Sequence, residues 1–244
     1  MPDSSPIETA FAPFAPFAVD DDVFARAYEA LGPRQRARLK ACIAVLYETF
    51  GEPLLDERRE RHFRQGFSLV DDDGGPCSGV IFVCDGAYPS PERFLAALMP
   101  AVMAGTAPRV LFRRGAGQEA VEEAGLIAPL LLTALELAGV EDAWLLDDAA
   151  ILDLFRRTVP DSGTRLVLLA EKPFGDALAL AALHSGALCR GLFGCSSGSC
   201  CGRTPGGSPA GPADGVPSDI LFWPHLEPGW FRLRSRRAST SNRK

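Results

Sequence analysis

Apolar residues between positions 79 and 169 occur in four short runs, and polar segments separate them. The runs cover residues 79–84, 109–113, 143–146 and 165–169. A strand with one face in water would alternate apolar and polar residues, whereas these runs are nearly continuous. They therefore predict four strands that are buried on both faces of a sheet.

Helical spacing of apolar residues marks the segments between these strands. These segments are residues 91–105, 129–139 and 149–157. Ser90 and Pro91 are typical of a helix start, and Gly139 suits the left-handed residue that follows a helix. Pro100 predicts a kink or a break in the first helix. Strands that alternate with such helices predict right-handed βαβ units. The predicted fold class is therefore α/β, with a Rossmann-like, mostly parallel sheet flanked by helices.

The pattern changes on both sides of this core. The N-terminal segment repeats Ala-Pro-Phe and predicts an extended arm that docks on the core or on a second subunit. The C-terminal part is irregular, because Gly, Ser, Pro and Cys dominate it before a short aromatic stretch. The predicted units are an arm (1–20), an α/β domain (21–188) made of N-terminal helices (21–66) and a Rossmann-like core (67–188), a loop (189–218), and a C-terminal arm with a basic tail (219–244).

Composition narrows the class of protein. The 244 residues are 47% hydrophobic, which is enough to bury one large core. The net charge of -6 argues against nucleic-acid binding, and the arginines after residue 231 are typical of a solvated tail. No segment has the roughly 18 apolar residues of a membrane span, and the N-terminus does not resemble a signal peptide. The seven cysteines, several among apolar residues, indicate a reducing, cytoplasmic setting.

Two blocks of the sequence resemble histidinol dehydrogenases. The first block, residues 83–105, leads from a strand end through Tyr88, Pro89 and Ser90 into a helix that ends in Ala-Gly. The second, residues 133–140, reads Thr-Ala-Leu-Glu-Leu-Ala-Gly-Val and precedes a strand. The resemblance covers the nucleotide-binding half of that family. It implies an aldehyde-dehydrogenase-like architecture and NAD binding, with Tyr88 and Pro89 facing the cofactor.

The chain also departs from that family. Asp147, Asp148, Ala149 and Ala150 stand where the family has Gly-Gly-Ala-Gln, so the glutamine that contacts the cofactor is Ala150 here. The family's catalytic Glu-His pair and its zinc-binding Gln and His residues have no counterpart. The resemblance thus implies an NAD-binding, oxidoreductase-related domain in which histidinol oxidation and a zinc site are not expected.

Two predicted turns carry the candidate nucleotide-binding residues, because ligands of parallel sheets bind beyond the carboxyl ends of the strands. These residues are Asp85, Gly86, Tyr88, Pro89 and Ser90 after the first strand, and Asp147 and Asp148 after the third. The helix that follows Ser90 favours anions at its N-terminus. The carboxylates oppose a phosphate, since one charge about 4 Å away costs roughly 4 kcal/mol at an effective dielectric constant near 20. They could instead accept hydrogen bonds from ribose hydroxyls.

A second candidate site is the cysteine-rich loop. Clustered thiolates in a loop could hold zinc or an iron–sulfur cluster, or carry redox chemistry. The spacing Cys-x4-Cys-Cys is not a standard ligand pattern, so ordinary free thiols remain the simpler interpretation. The residues concerned are Cys195, Cys200 and Cys201, with Cys189 upstream and His184 and His225 on either side.

Three functions are consistent with this sequence. The first is a nucleotide-binding oxidoreductase with an unknown substrate, and the second is a non-catalytic assembly or binding protein that keeps the fold. The third is a metal or redox module built on the cysteine loop. Apolar segments at both ends favour a homodimer in each case. An open cleft beside Cys84 and Leu146 would indicate nucleotide binding, and a filled cleft would indicate assembly.

Overall fold

The computed structural model describes residues 6–51, 57–64, 67–114, 123–158, 164–169, 192–193 and 226–240. The helices are α1 (Pro6–Phe11), α2 (Asp21–Ala30), α3 (Pro33–Phe50), α4 (Pro91–Met103), α5 (Glu123–Leu126), α6 (Pro129–Leu137) and α7 (Asp148–Thr158), with 3₁₀ helices at Ala12–Phe17 and Pro228–Phe231. The strands are β1 (Glu57–His62), β2 (Phe67–Pro76), β3 (Gly79–Asp85), β4 (Pro108–Arg113), β5 (Ala143–Leu146), β6 (Thr164–Leu169), β7 (Leu192–Phe193) and β8 (Arg232–Thr240).

A parallel sheet with the order β5-β4-β3-β6-β7 forms the centre of the fold. Its first four strands coincide with the four apolar runs, and β7 adds two residues at one edge. From β3 the chain moves outward through β4 and β5, then returns to the other side of β3 at β6. This reversal places a topological switch point between β3 and β6. The predicted α/β class with a Rossmann-like sheet is confirmed.

The predicted helix boundaries also agree with the structure. The backbone N–H of Arg93 donates to Ser90 Oγ at 3.3 Å, so Ser90 caps α4. Gly139 has a φ of 72°, the left-handed conformation expected after α6. Helix α4 continues through Pro100 without a break.

The prediction of an extended N-terminal arm is wrong. Residues 6–17 form α1 and a 3₁₀ helix, because proline is tolerated in the first turn of a helix. The residues Ile7, Ala10, Phe11 and Phe14 recur at helical spacing and are buried against one face of the sheet together with α7. The segment therefore docks on the chain's own core.

The end of this segment also covers a sheet edge. Val19 N–H donates to the carbonyl oxygen of Ala143 at 2.9 Å, and Ala18 forms an antiparallel bridge with Trp144. Backbone groups at the outer edge of β5 are thereby paired, which removes an exposed edge from this side of the sheet. The opposite face of the sheet packs on α2, α3, α4 and α6.

A second, antiparallel sheet has the order β1-β2-β8. The prediction of helices up to residue 66 is wrong for β1, and the prediction of an irregular C-terminal segment is wrong for β8. Strand β2 likewise belongs to this small sheet and not to the Rossmann-like core. Opposite charges support the pairing, since Asp71 lies opposite both Arg59 and Arg236 and forms an ion pair with Arg61 at 2.6 Å.

Parts of the predicted organisation lie outside the described residues. The loop at 189–218 is described only at β7, and the aromatic stretch before residue 226 is not described. Within the described ranges, no helix is both long enough and apolar enough to cross a membrane.

Candidate functional site

Strands β3, β4 and β5 end side by side at the carboxyl edge of the sheet. In the parallel register, Asp85 lies opposite Arg113, and Arg113 lies opposite Leu146. Asp147 and Asp148 follow directly after β5. The structure thus brings together the two predicted turns and adds an arginine between them.

A backbone hydrogen bond closes the turn between β3 and α4. Tyr88 N–H donates to the carbonyl oxygen of Asp85 at 2.9 Å. The Tyr88 ring is buried in the main core, whereas Pro89 is exposed to solvent. Of the two residues expected to face a cofactor, Tyr88 packs into the protein interior.

Gly86 in this turn is covered by the backbone that leads into α6. Ala128 N–H donates to the carbonyl oxygen of Gly86 at 2.8 Å. A Cβ atom at position 86 would clash with the carbonyl oxygen of Leu126. Glycine is therefore required here for the close approach of residues 126–128, which sequence reasoning does not identify. The two segments are distant in sequence, and no motif links them.

The N-terminus of α4 has partners from the chain itself. Ser90 Oγ accepts a hydrogen bond from Arg93 N–H and lies 3.5 Å from Glu92 Oε2. Glu92 stands in the first turn of the helix and forms an ion pair with Arg38 at 2.6 Å. A carboxylate at this position satisfies the positive end of the helix dipole that an anionic ligand would otherwise use.

The two aspartates after β5 have separate roles. Asp147 Oδ1 accepts a hydrogen bond from Ala150 N–H at 2.8 Å, which caps the start of α7. Asp148 forms a two-pronged pair with Arg113, with distances of 2.5 Å from Nε to Oδ1 and 2.9 Å from Nη2 to Oδ2.

Arg113 links both turns. Its Nη1 atom lies 3.7 Å from Asp85 Oδ1, so one guanidinium serves a carboxylate on each side. The hydrogen bond to Asp148 raises the pKa of Arg113, burial opposes that shift, and the charges of Asp148 and Asp85 add to it. Sequence reasoning does not identify Arg113 as a site residue. The sequence does place Arg113 at the end of a predicted strand, and the strands before and after it in the sequence both end in aspartates.

The thiol nearest this edge is not a nucleophile. Cys84 is fully buried and its Sγ donates to the carbonyl oxygen of Asp85 at 3.4 Å. Burial raises the pKa of Cys84 well above its ordinary value, and the charge of Asp85 raises it further. The thiol therefore stays protonated at neutral pH, whereas nucleophilic cysteines need the thiolate.

The cysteine-rich loop is not tested by the structure. Cys195, Cys200 and Cys201 lie outside the described residues, as do His184 and His225. The described part of the chain contains no group of three His, Cys, Asp or Glu side chains that could hold a metal ion.

A cavity of about 410 Å³ lies at the opposite edge of the sheet, where β4 and β5 begin. Its lining includes Val102 near the end of α4, the segment Thr106–Pro108 before β4, and the segment Gly139–Asp142 between α6 and β5. None of the predicted site residues contributes to this cavity.

Comparison with known proteins gives distant matches only. No protein-family model matches the chain, and no curated protein matches it significantly. Among solved structures, the chain is similar to a histidinol dehydrogenase from Elizabethkingia anophelis, with 14% identity over 73% of this chain and a TM-score of 0.48. It is also similar to an aldehyde dehydrogenase from Brucella melitensis biovar abortus 2308, with 11% identity over 75% of this chain and a TM-score of 0.34. The chain spans 40% of the length of each.

Proposed function

We propose that this chain is a non-catalytic assembly or binding protein that keeps a Rossmann-like sheet for the surfaces the sheet supports. The observation that carries the proposal is the contact between Gly86 and residues 126–128. In dinucleotide-binding sheets, the glycine of the first strand-to-helix turn lets a pyrophosphate approach the backbone. Here the carbonyl oxygen of Leu126 occupies that approach, and Ala128 uses the carbonyl of Gly86.

The charges at this edge support the same function. The carboxylates of Asp85 and Asp148 lie within 4 Å of the Arg113 guanidinium, and Asp147 adds a third negative charge as the cap of α7. Arg113 directs its donors to two of the carboxylates, and a phosphate would have to compete with both. A negative ligand would therefore meet repulsion at the site where an open Rossmann-like crevice attracts anions.

A second candidate function is nucleotide binding at the switch point between β3 and β6. The observation in its favour is the strand order, which places Asp85 at the end of β3 with its side chain 34% exposed. Such a carboxylate can accept hydrogen bonds from ribose hydroxyls. The sequence resemblance to histidinol dehydrogenases suggests NAD as the ligand of this second function and an oxidoreductase-related role for the chain.

A thermal-shift titration of the full chain with NAD, NADP, ADP and ATP separates the two functions. A ligand at 100 times its dissociation constant adds about 2.7 kcal/mol of stability, which shifts the melting temperature by several degrees. The assembly function predicts no shift with any nucleotide.

The control is a pair of aspartate variants. Asp85→Asn removes the carboxylate at the switch point, and Asp153→Asn removes one on the outside of α7, where it pairs with Arg157. A saturable shift with NAD that Asp85→Asn abolishes and Asp153→Asn preserves would overturn the assembly function in favour of nucleotide binding.

A further inference from the structure

Strand β1 is an edge strand that solvent reaches from both faces. Its described pairing is with β2 alone, and its described side chains are exposed on either side. The exposed fractions are 57% for Arg61, 76% for His62 and 43% for Glu60. A three-stranded sheet with so little burial gains stability when further strands or a covering surface are added.

The sequence of β1 is self-complementary in charge. In a symmetric antiparallel pair of identical strands, the two-fold axis passes between two directly opposed residues, so one residue faces its own copy. With Arg59 at that position, Arg58 faces Glu60 of the second copy and Glu60 faces Arg58 of the second copy. The next pair outward places Glu57 opposite Arg61 of the second copy, again twice.

The register shifted by one residue to Glu60 lacks this match. With Glu60 on the axis, Arg59 would face Arg61 in both directions, which places like charges directly opposite each other. In the register centred on Arg59, the like-charge contact is confined to Arg59 itself. Asp71 lies opposite Arg59 within each chain and brings a negative charge close to that contact, although its carboxylate pairs with Arg61 at 2.6 Å.

We propose that two copies of this chain pair antiparallel through β1, in register about Arg59, and form a continuous six-stranded sheet with the order β8-β2-β1-β1-β2-β8. Charged edge strands ordinarily discourage association. Here the charge pattern rejects other partners and registers while it accepts its own copy. This inference names a partner for the assembly function proposed above and rests on it.

The test reverses the charge of one residue of the 58–60 pair at a time and measures dimerisation by sedimentation velocity. Glu60→Arg places two positive charges opposite each other at both 58–60 pairs of the dimer, and Arg58→Glu places two negative charges opposite each other at the same pairs. Each variant alone should raise the dimer dissociation constant by about tenfold or more. An equimolar mixture of the two variants restores opposite charges at both pairs and should dimerise as the wild type does.

One control variant and one further measurement keep the result interpretable. Lys40→Glu reverses an exposed charge on α3 and should leave the dimer unchanged. Glu60 lies opposite Val70 within its own sheet, so Glu60→Arg disturbs the chain less than Arg58→Glu does, because Arg58 lies opposite Asp72. Hydrogen exchange of the β1 amides provides a second measurement, and protection should rise with protein concentration in the wild type but not in Glu60→Arg.

A monomeric wild type, or single variants that dimerise like the wild type, would overturn the β1 pairing. Single variants that stay monomeric even when mixed would overturn the register. These outcomes differ from failure of the assembly function, which would appear as nucleotide binding that requires Asp85 in the thermal-shift titration.

Discussion

Arg113 and Asp148 form two parallel hydrogen bonds, from Nε to Oδ1 and from Nη2 to Oδ2, across the carboxyl edge of the sheet. The pair ties the end of β4 to the first turn of α7. Because the same guanidinium also reaches Asp85, the ends of three neighbouring strands depend on one cation.

Replacing Arg113 by Met should destabilise the protein by about 1–2 kcal/mol, because it leaves two partly buried carboxylates without their counter-charge. Urea denaturation measures the loss. The matched control is Arg157→Met, which breaks the exposed pair with Asp153 within α7. That loss should stay near about 0.5 kcal/mol. Equal losses for the two variants would contradict a linking role for Arg113.

Gly86→Ala should destabilise the protein by about 1–3 kcal/mol, because the new Cβ meets the carbonyl oxygen of Leu126 and the backbone cannot yield easily. The neighbouring change Ala87→Ser, at an exposed position of the same turn, should have little effect. Thermal unfolding of both variants checks the prediction. If Gly86→Ala is as stable as the parent, residues 126–128 do not lie on the turn in solution.

Phe11→Ala should cost about 3–4 kcal/mol, because the ring packs 4.5 Å from Trp144 and is stacked by Arg109. The intrinsic fluorescence should shift to longer wavelength as water reaches Trp144. Phe17→Ala serves as control, since Phe17 is 44% exposed and contributes little burial. An unchanged spectrum in Phe11→Ala would contradict docking of the N-terminal segment on the core.

Cys42 should make stability fall in alkaline solution. Burial raises the pKa of its thiol from 9.0 to about 11, and the charge of Glu92 adds to the shift while Arg38 opposes it. The unfolded chain loses this proton near pH 9, whereas the folded chain keeps it. The stabilisation is therefore complete below pH 9 and is lost as the pH rises through about 11.

Urea midpoints of the wild type and Cys42→Ala between pH 8 and about pH 11 isolate this contribution, because the other titrating groups are common to both proteins. The difference in stability between the two proteins should shrink as the pH rises. A difference that stays constant would show that the Cys42 thiol titrates alike in the folded and unfolded chains.

The parallel sheet could be predicted from the sequence because its strands are buried on both faces. A continuous apolar run such as residues 79–84 is consistent with either a buried strand or a segment of a buried helix. Its short length and the turn residues around it indicate a strand. The capping role of Ser90 follows from adjacent residues alone. Information that is local in the sequence was sufficient for these elements.

Contacts between distant segments could not be predicted in the same way. Arg113 becomes a site residue only when the register of three strands is known, and the cover over Gly86 depends on how the chain returns to α6. Strands β1 and β8 carry few apolar residues, so their pairing depends on partners far away in the sequence. Helix α1 could have been predicted from the sequence, because Ile7, Phe11 and Phe14 have helical spacing.

The small sheet has a consequence for the order in which the chain acquires structure during translation. Strand β8 completes a sheet whose other two strands lie before the parallel core, so the ribosome makes β3 to β6 before the third strand exists. The α/β core can therefore form on the nascent chain while the edge of β2 that later pairs with β8 is still unpaired. A cut before residue 232 would leave that edge open permanently, and such a fragment should keep its core but aggregate during synthesis.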